Sequence, residues 1–201
     1  MSVASVEPLP DWVIPPPGGF TADAFFELKG LPRHTELIDG SLVFMSPRQK
    51  WHSKVIDLLV AELDAQAPAE CRAHREMTVR LAKRQVPESD VVVVTTEAFD
   101  RSEPSTYYLP ADVLLAIEAV SPDSEDRDRD TKPRKYAAAG IPHFWRVECD
   151  DPDSAVVYTY ERDPAGGTYA LTGIFHDRLK TTVPFPLDIP LLDVNARRRQ
   201  P

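Results

Sequence analysis

Three charged side chains stand where this sequence is otherwise apolar or turning, and together they are the parts of a cation-assisted hydrolytic site. Asp90 opens the valine run SDVVVVTT (Ser89–Thr96), Glu118 interrupts the apolar run DVLLAIEAV (Asp112–Val120), and Lys132 falls in the first turn expected of the following helix. A glutamate flanked by aliphatic residues loses its hydration and requires a compensating partner. Two carboxylates brought to one sheet edge by adjacent buried strands make an oxygen-rich site for Mg2+ or Mn2+, with waters and substrate phosphate completing the shell. A lysine beside them can orient or deprotonate an attacking water, or stabilise developing phosphate charge. Metal-assisted phosphodiester hydrolysis needs those parts. Each residue also has an ordinary explanation. Aspartate at a strand start is turn chemistry, a glutamate at a strand end can reach the solvent rim, and an exposed lysine at a helix N-terminus loses only about 0.3 kcal/mol against the helix dipole. The combination points to chemistry where the single residues do not.

The elements that must carry these groups are legible from periodicity and turn residues. Thr21 caps a short helix through Leu28, closed by Gly30. Asp39-Gly40 is a two-residue turn joining Thr35–Ile38 to Ser41–Met45 as a hairpin. Val55, Leu58, Leu59 and Leu63 recur at helical spacing in WHSKVIDLLVAELDAQ, and REMTVRLA alternates like a half-buried strand. The two near-continuous aliphatic runs suit strands covered on both faces. Between them EAFDRSEPSTYYLPA reads as loop. Thr131 or Asp130 is placed to cap a helix that includes Pro133 and stops at Gly140. PHFWRVE reads as a strand, AVVYTYER and GGTYALTGIF as a terminal hairpin, and the remainder as loop. Strands with embedded helices and no internal repeat predict an α+β (α/β-like) fold with a mixed sheet. Residues 1–19 form a proline-rich arm, 20–195 a single domain, and 196–201 a basic tail.

Composition bounds the partners. With 201 residues, 23 Lys and Arg against 32 Asp and Glu, and a net charge of −9, wholesale electrostatic adhesion to nucleic acid is excluded, while a local basic groove is not. Cys71 and Cys149 have neither metal-type nor redox-type spacing. The absence of a signal-like or membrane-spanning apolar run leads to the expectation of a reducing cytoplasm and no membrane partner.

The block Ala111–Glu148 resembles the signature of the Uma-type (Uma2) endonuclease family of the PD-(D/E)XK nuclease superfamily. The matching residues are Glu118, Ser121-Pro122, Asp128, Lys132, Tyr136-Ala137, Ala139-Gly140-Ile141-Pro142 and Phe144-Trp145. Upstream, ELIDGSLVFMSP (Glu36–Pro47), His52 and SDVVVV are similar to the family's hairpin, helix start and Pro-Asp strand. The resemblance spans about residues 20 to 175 and implies a restriction-endonuclease-like mixed sheet flanked by helices. It implies Asp90 and Glu118 as ligands of Mg2+ or Mn2+, Glu36 as an additional acid, and DNA as substrate. Ser89 replaces the motif proline, and Val120 stands two residues after Glu118, where the superfamily places its lysine. Lys132 is the matching position on the following helix, with Lys135 as local competitor. Two functions follow as expectations: a metal-dependent endodeoxyribonuclease, or a catalytically inactive nuclease-fold protein that binds nucleic acid or protein.

Arg75, Arg80, Lys83 and Arg84 lie in one basic stretch, Arg72–Arg84, and Arg48, Lys50, His52 and Lys54 in another. Either can track phosphates or form a solvated face. His52 reads as a hydrogen-bonding residue at a helix start, since no second histidine sits at ligand spacing. The C-terminal hairpin offers a sheet edge through which copies of the chain can pair into a homo-oligomer.

Overall fold

A computed structural model describes residues 10, 12, 14–149 and 154–191. The tail 196–201 and residues 1–9, 11 and 13 of the arm lie outside the described residues. Of the rest of the arm, Trp12 packs its ring 5.5 Å from Phe44, so this part lies against the first hairpin instead of extending away from it.

The two aliphatic runs become neighbouring central strands, β4 (Glu88–Thr95) and β6 (Val113–Ala119). They sit in a seven-stranded mixed sheet of order β5-β3-β4-β6-β7-β8-β9, where β3 is Cys71–Val79, β5 Tyr107–Tyr108, β7 His143–Cys149, β8 Ala155–Arg162 and β9 Tyr169–Phe175. The pairs β6–β7 and β3–β5 are parallel and the others antiparallel. Alternation along the central strands divides the interior in two. Val91, Val93, Leu115 and Ile117 face a layer built on Trp51, Val55, Ile56, Leu59 and Leu63 of α2 (Lys50–Gln66). Val92, Val94, Ala116 and Phe144 face Tyr136 of α4 (Lys132–Ala138). Strands covered on both faces lose the polar alternation of half-exposed ones, which is why these two read as unbroken apolar runs.

Thr21 caps α1 (Ala22–Glu27), its Oγ1 accepting from the Ala24 amide at 3.2 Å. Asp39 and Gly40 turn between β1 (Glu36–Ile38) and β2 (Ser41–Val43) with φ of 52° and 83°, the left-handed pair that a tight hairpin turn requires.

Three expectations change. The segment taken as loop between the aliphatic runs contains α3 (Thr96–Asp100) and the edge strand β5, and it ends in a 3-10 turn at Pro110–Asp112. The β8–β9 hairpin is not terminal. A further hairpin, β10 (Arg178–Thr181) with β11 (Leu187–Pro190), buries Leu179 and Ile189 against the α2 layer. Neither Thr131 nor Asp130 caps a helix: Thr131 is itself helical and makes no side-chain cap hydrogen bond. The chain enters its helix at Glu125 and passes through a π-helical turn, Arg127–Thr131, before α4. The reason is that Ser124, rather than Thr131, organises the entry, with its carbonyl accepting from the Asp128 amide at 2.8 Å.

The first hairpin matters because it carries Glu36, and Gly40 is the residue that fixes it. A Cβ there would meet the Arg84 guanidinium, and the positive φ would be strained for any L side chain. Gly40→Ala is expected to lower unfolding free energy by about 1–2 kcal/mol, measured by urea denaturation.

Candidate active site

The carboxylates converge because of register. The pairing Val91–Ile117 and Val92–Ala116, continued by one residue, sets Asp90 opposite Glu118 on the α4 side of the sheet. The parallel β6–α4–β7 crossover then brings the helix back over the ends of these strands. Its π-helical entry carries Asp128, and Asp128, Lys132 and Tyr136 follow at intervals of four along one helical stripe. All three are buried. The β1–β2 hairpin adds Glu36 from the opposite side, tied to the sheet by the Glu88 amide donating to its Oε1 at 2.9 Å.

At the centre is the ammonium of Lys132. Its Nζ lies 2.8 Å from Glu36 Oε1, 2.9 Å from Glu118 Oε2 and 3.6 Å from Asp128 Oδ1, and it donates to the Glu88 carbonyl at 3.1 Å. Lys132 is 2% exposed and Glu36 and Glu118 are 1% exposed, so water does not screen these contacts. The second oxygen of Glu118 accepts from the Tyr136 hydroxyl at 2.6 Å. Asp90 is held separately. Arg48 Nη1 donates to its Oδ1 at 2.5 Å, and its Oδ2 accepts from the Ala119 amide at 2.8 Å and lies 3.1 Å from His52 Nε2.

Charge and burial pull these groups apart. Burial alone would raise the Asp90 carboxyl, but the hydrogen bond and charge of His52, with Arg48 and Lys132, outweigh it and hold the group at about 2. Burial pushes Glu118 well above the ordinary range against the pull of Lys132, and the carboxylates of Asp128, Asp90 and Glu36 add to the rise. Asp128 is raised to about 6, again chiefly by burial. For Lys132, burial would lower the ammonium, but Glu118, Glu36 and Asp128 win and raise it well above the usual lysine value. It is therefore a fixed cation and hydrogen-bond donor at neutral pH.

These groups line a cavity of about 120 Å³ together with Met45, Pro47, Ser121 and Ser124. Six acids, Glu36, Glu88, Asp90, Glu118, Asp123 and Asp128, face two permanent cations, Arg48 and Lys132. Glu36 Oε2 and Asp128 Oδ1 are buried without a hydrogen-bond donor. An acidic excess, all-oxygen donors and two unsatisfied carboxylate oxygens fit a hard divalent cation. Among the described residues, however, no three Asp, Glu, His or Cys side chains already form a cage for a metal ion. The protein's own cations occupy the space between the acids.

The structure thus brings Asp90, Glu118, Lys132 and Glu36 together in one cavity. It sends Lys135 elsewhere, to Asp39 Oδ1 at 2.8 Å on the first hairpin. Arg75 pairs with Asp57 and with Glu76 at 3.1 Å, and Arg80 pairs with Asp23 at 2.6 Å and lies over the Tyr107 ring. Arg84 donates to the Asp39 carbonyl at 2.5 Å, and Ala22 donates to the backbone carbonyl of Lys83. None of these four basic residues is among those lining the cavity. His52 is a hydrogen-bonding residue at the start of α2, as its sequence position predicts. Asp128 and Tyr136 were not given a role by the sequence, although the four-residue spacing of Asp128, Lys132 and Tyr136 was a visible signal, and Arg48, read as one of a basic group that can track phosphates, lines the cavity in contact with Asp90.

A family model described as "Uma2: Putative restriction endonuclease" matches residues 22–194. A crystal structure of a putative nuclease belonging to DUF820 from Anabaena variabilis superposes with a TM-score of 0.63 at 19% identity, covering 82% of this chain and 89% of that one. At that identity the likeness is one of fold. No curated protein matches. No helix among the described residues is long and apolar enough to cross a membrane.

The depressed Asp90 carboxyl has a consequence for stability. Its ionised form contributes in full above the ordinary value of 3.8, and the contribution is lost as pH falls through about 2. A displacement of this size corresponds to about 2 kcal/mol at neutral pH. Asp90→Asn should be less stable than wild type at pH 7, and urea denaturation at pH 7, 4 and 3 should show the gap narrowing at the acid end.

Proposed function

We propose, from the premise that this chain belongs to the Uma2 family of putative restriction endonucleases, that it hydrolyses phosphodiester bonds in DNA with the help of Mg2+ or Mn2+. The observation that supports this reading most is the convergence of Glu36, Asp90, Glu118 and Lys132 on one cavity from four separate elements. Glu118 and Asp90, with Glu36 as a further acid, are the residues that would hold the cation. The ion would supply Lewis-acid polarisation of the phosphate and a lowered pKa for bound water.

The protein side of the chemistry follows from the geometry. Lys132 takes the place of the strand lysine, because the residue two after Glu118 is Val120 while the Lys132 side chain reaches Glu118 from the helix. Since its ammonium is held charged, its role is to donate: it orients a water or phosphate oxygen and offsets negative charge as the phosphorus centre is attacked. It is not the base. A carboxylate of the cluster is better suited to receive the proton, and Asp128, raised chiefly by burial to about 6, is suited to take one up near neutral pH. Tyr136 and Lys132 each hold one oxygen of Glu118, which fixes the plane of the carboxylate.

A second reading is favoured by a specific observation. Both oxygens of Asp90 and of Glu118 already have protein donors, and the described residues hold no ready metal cage. This supports a nuclease-fold binding module without catalysis.

Plasmid nicking with Mg2+ or Mn2+ separates the two. Wild type should nick, and Glu118→Ala, Asp90→Asn and Lys132→Met should each lose on the order of a hundredfold in rate per folded molecule, the folded fraction of each being read by circular dichroism. Equal rates in all four proteins would overturn the assignment. Calorimetry with Mn2+ should show binding that depends on both carboxylates; its absence, with DNA binding retained, supports the binding module.

A further inference from the structure

Arg48 is the cavity cation that the reaction outlined above leaves without a task. It is carried on the irregular connection 44–49 between β2 and α2, not on a strand or helix. Its guanidinium touches Asp90 Oδ1 at 2.5 Å, Glu88 Oε1 at 3.3 Å, Glu76 Oε1 at 3.5 Å and His52 Nδ1 at 3.3 Å. Its side chain is 17% exposed, against 2% for Lys132, and it lines the cavity.

This arrangement contains a conflict. Asp90 Oδ1 is an oxygen that the proposed divalent cation would use, and Arg48 already holds it. Guanidinium and metal ion compete for the same carboxylate by charge and by lone pair. Once Asp90 is engaged elsewhere, Arg48 has lost its shortest contact and keeps only Glu88, Glu76 and His52 at 3.3 Å or more. A planar, permanently charged and partly exposed fork lining this cavity suits bidentate contact with a phosphate.

We propose that Arg48 is a substrate-phosphate ligand, kept on Asp90 in the metal-free protein and turned to a phosphate of the nucleic acid when Asp90 engages a divalent cation. The inference rests on the nuclease reading and names the residue that couples its metal and its substrate. A purely structural Arg48 would remain on Asp90 in both states.

The full chain is used with Arg48→Gln and, in case that variant folds poorly, Arg48→Lys. Mn2+ binding is read by calorimetry without DNA. Binding of a labelled DNA duplex is read by anisotropy across a salt series, in EDTA and with Ca2+. Arg48→Gln should bind Mn2+ about tenfold more tightly, as expected when a neighbouring positive charge is removed. In EDTA it should bind DNA like wild type. With Ca2+ it should bind more weakly, with a log–log salt slope shallower by about 0.9, one phosphate contact on duplex DNA. Arg48→Lys should keep wild-type Mn2+ affinity and fall between the two in DNA affinity. Unchanged or weakened Mn2+ binding by Arg48→Gln overturns the proposal, as does an equal loss of DNA affinity with and without Ca2+. Failure of the nuclease reading itself is distinct: wild type would then fail to nick plasmid with Mg2+ or Mn2+, whether or not it binds DNA.

Discussion

A buried ammonium is the interaction on which this site depends. Carboxylates from β1, from β6 and from the π-helical turn are withdrawn from water within hydrogen-bonding or ion-pair distance of Lys132. None of them could be buried as an isolated ion, because losing hydration costs several kcal/mol per charge even after relaxation. Gathered around one cation, which also donates to the Glu88 carbonyl, and with the Tyr136 hydroxyl donating to Glu118, they remain buried. The same contacts that allow burial also hold Glu118 and Glu36 at fixed positions, so the electrostatic requirement and the geometric one are met together.

The sheet supplies the rigidity behind this cluster. β4 and β6 are covered on both faces, by α2 and the β10–β11 hairpin on one side and by α4 on the other. Side chains projecting from the ends of such strands have little freedom to move with the backbone. The helical entry is the less regular half. A π turn places one extra residue in the coil, a distortion often found at functional sites, and here it directs Asp128 into the cavity one turn ahead of Lys132. Asp90 is the carboxylate held apart, by Arg48 and His52 instead of Lys132, and its low affinity for protons contrasts with the raised values of Glu118 and Asp128. Two carboxylates opposite each other on adjacent strands therefore have opposite tendencies, set by burial and by which cation each one meets.

Much of this was readable where local pattern and tertiary environment agree. Thr21, the Asp39-Gly40 turn and the α2 periodicity each specify their element through contacts within a few residues, and they appear where expected. The β10–β11 hairpin was not legible. Its strands are four residues each, Pro184 and Pro186 lie between them, and their stability comes from burying Leu179 and Ile189 on α2, more than 100 residues earlier in the chain. The short helix α3 was obscured in a similar way: five residues carry too little periodicity to announce a helix, although Thr95 caps it through the Ala98 amide.

The sequence by itself determined the fold class and the order of the central elements and singled out the three groups Asp90, Glu118 and Lys132, with Glu36 added through the family resemblance. The oddity of those three was local: charges set into apolar strands or against a helix dipole. Tertiary structure decided which lysine reaches the acids. Lys132, the matching position, and its local competitor Lys135 are three residues apart, and the helix turns one into the cavity and the other toward Asp39. It also decided that Arg48 stands on Asp90, because that contact spans 42 residues and exists only when the β2–α2 connection packs beside β4. Charge type and spacing are properties of the chain. Which charges meet, and therefore which protons stay and which go, is a property of the packing that removes them from water.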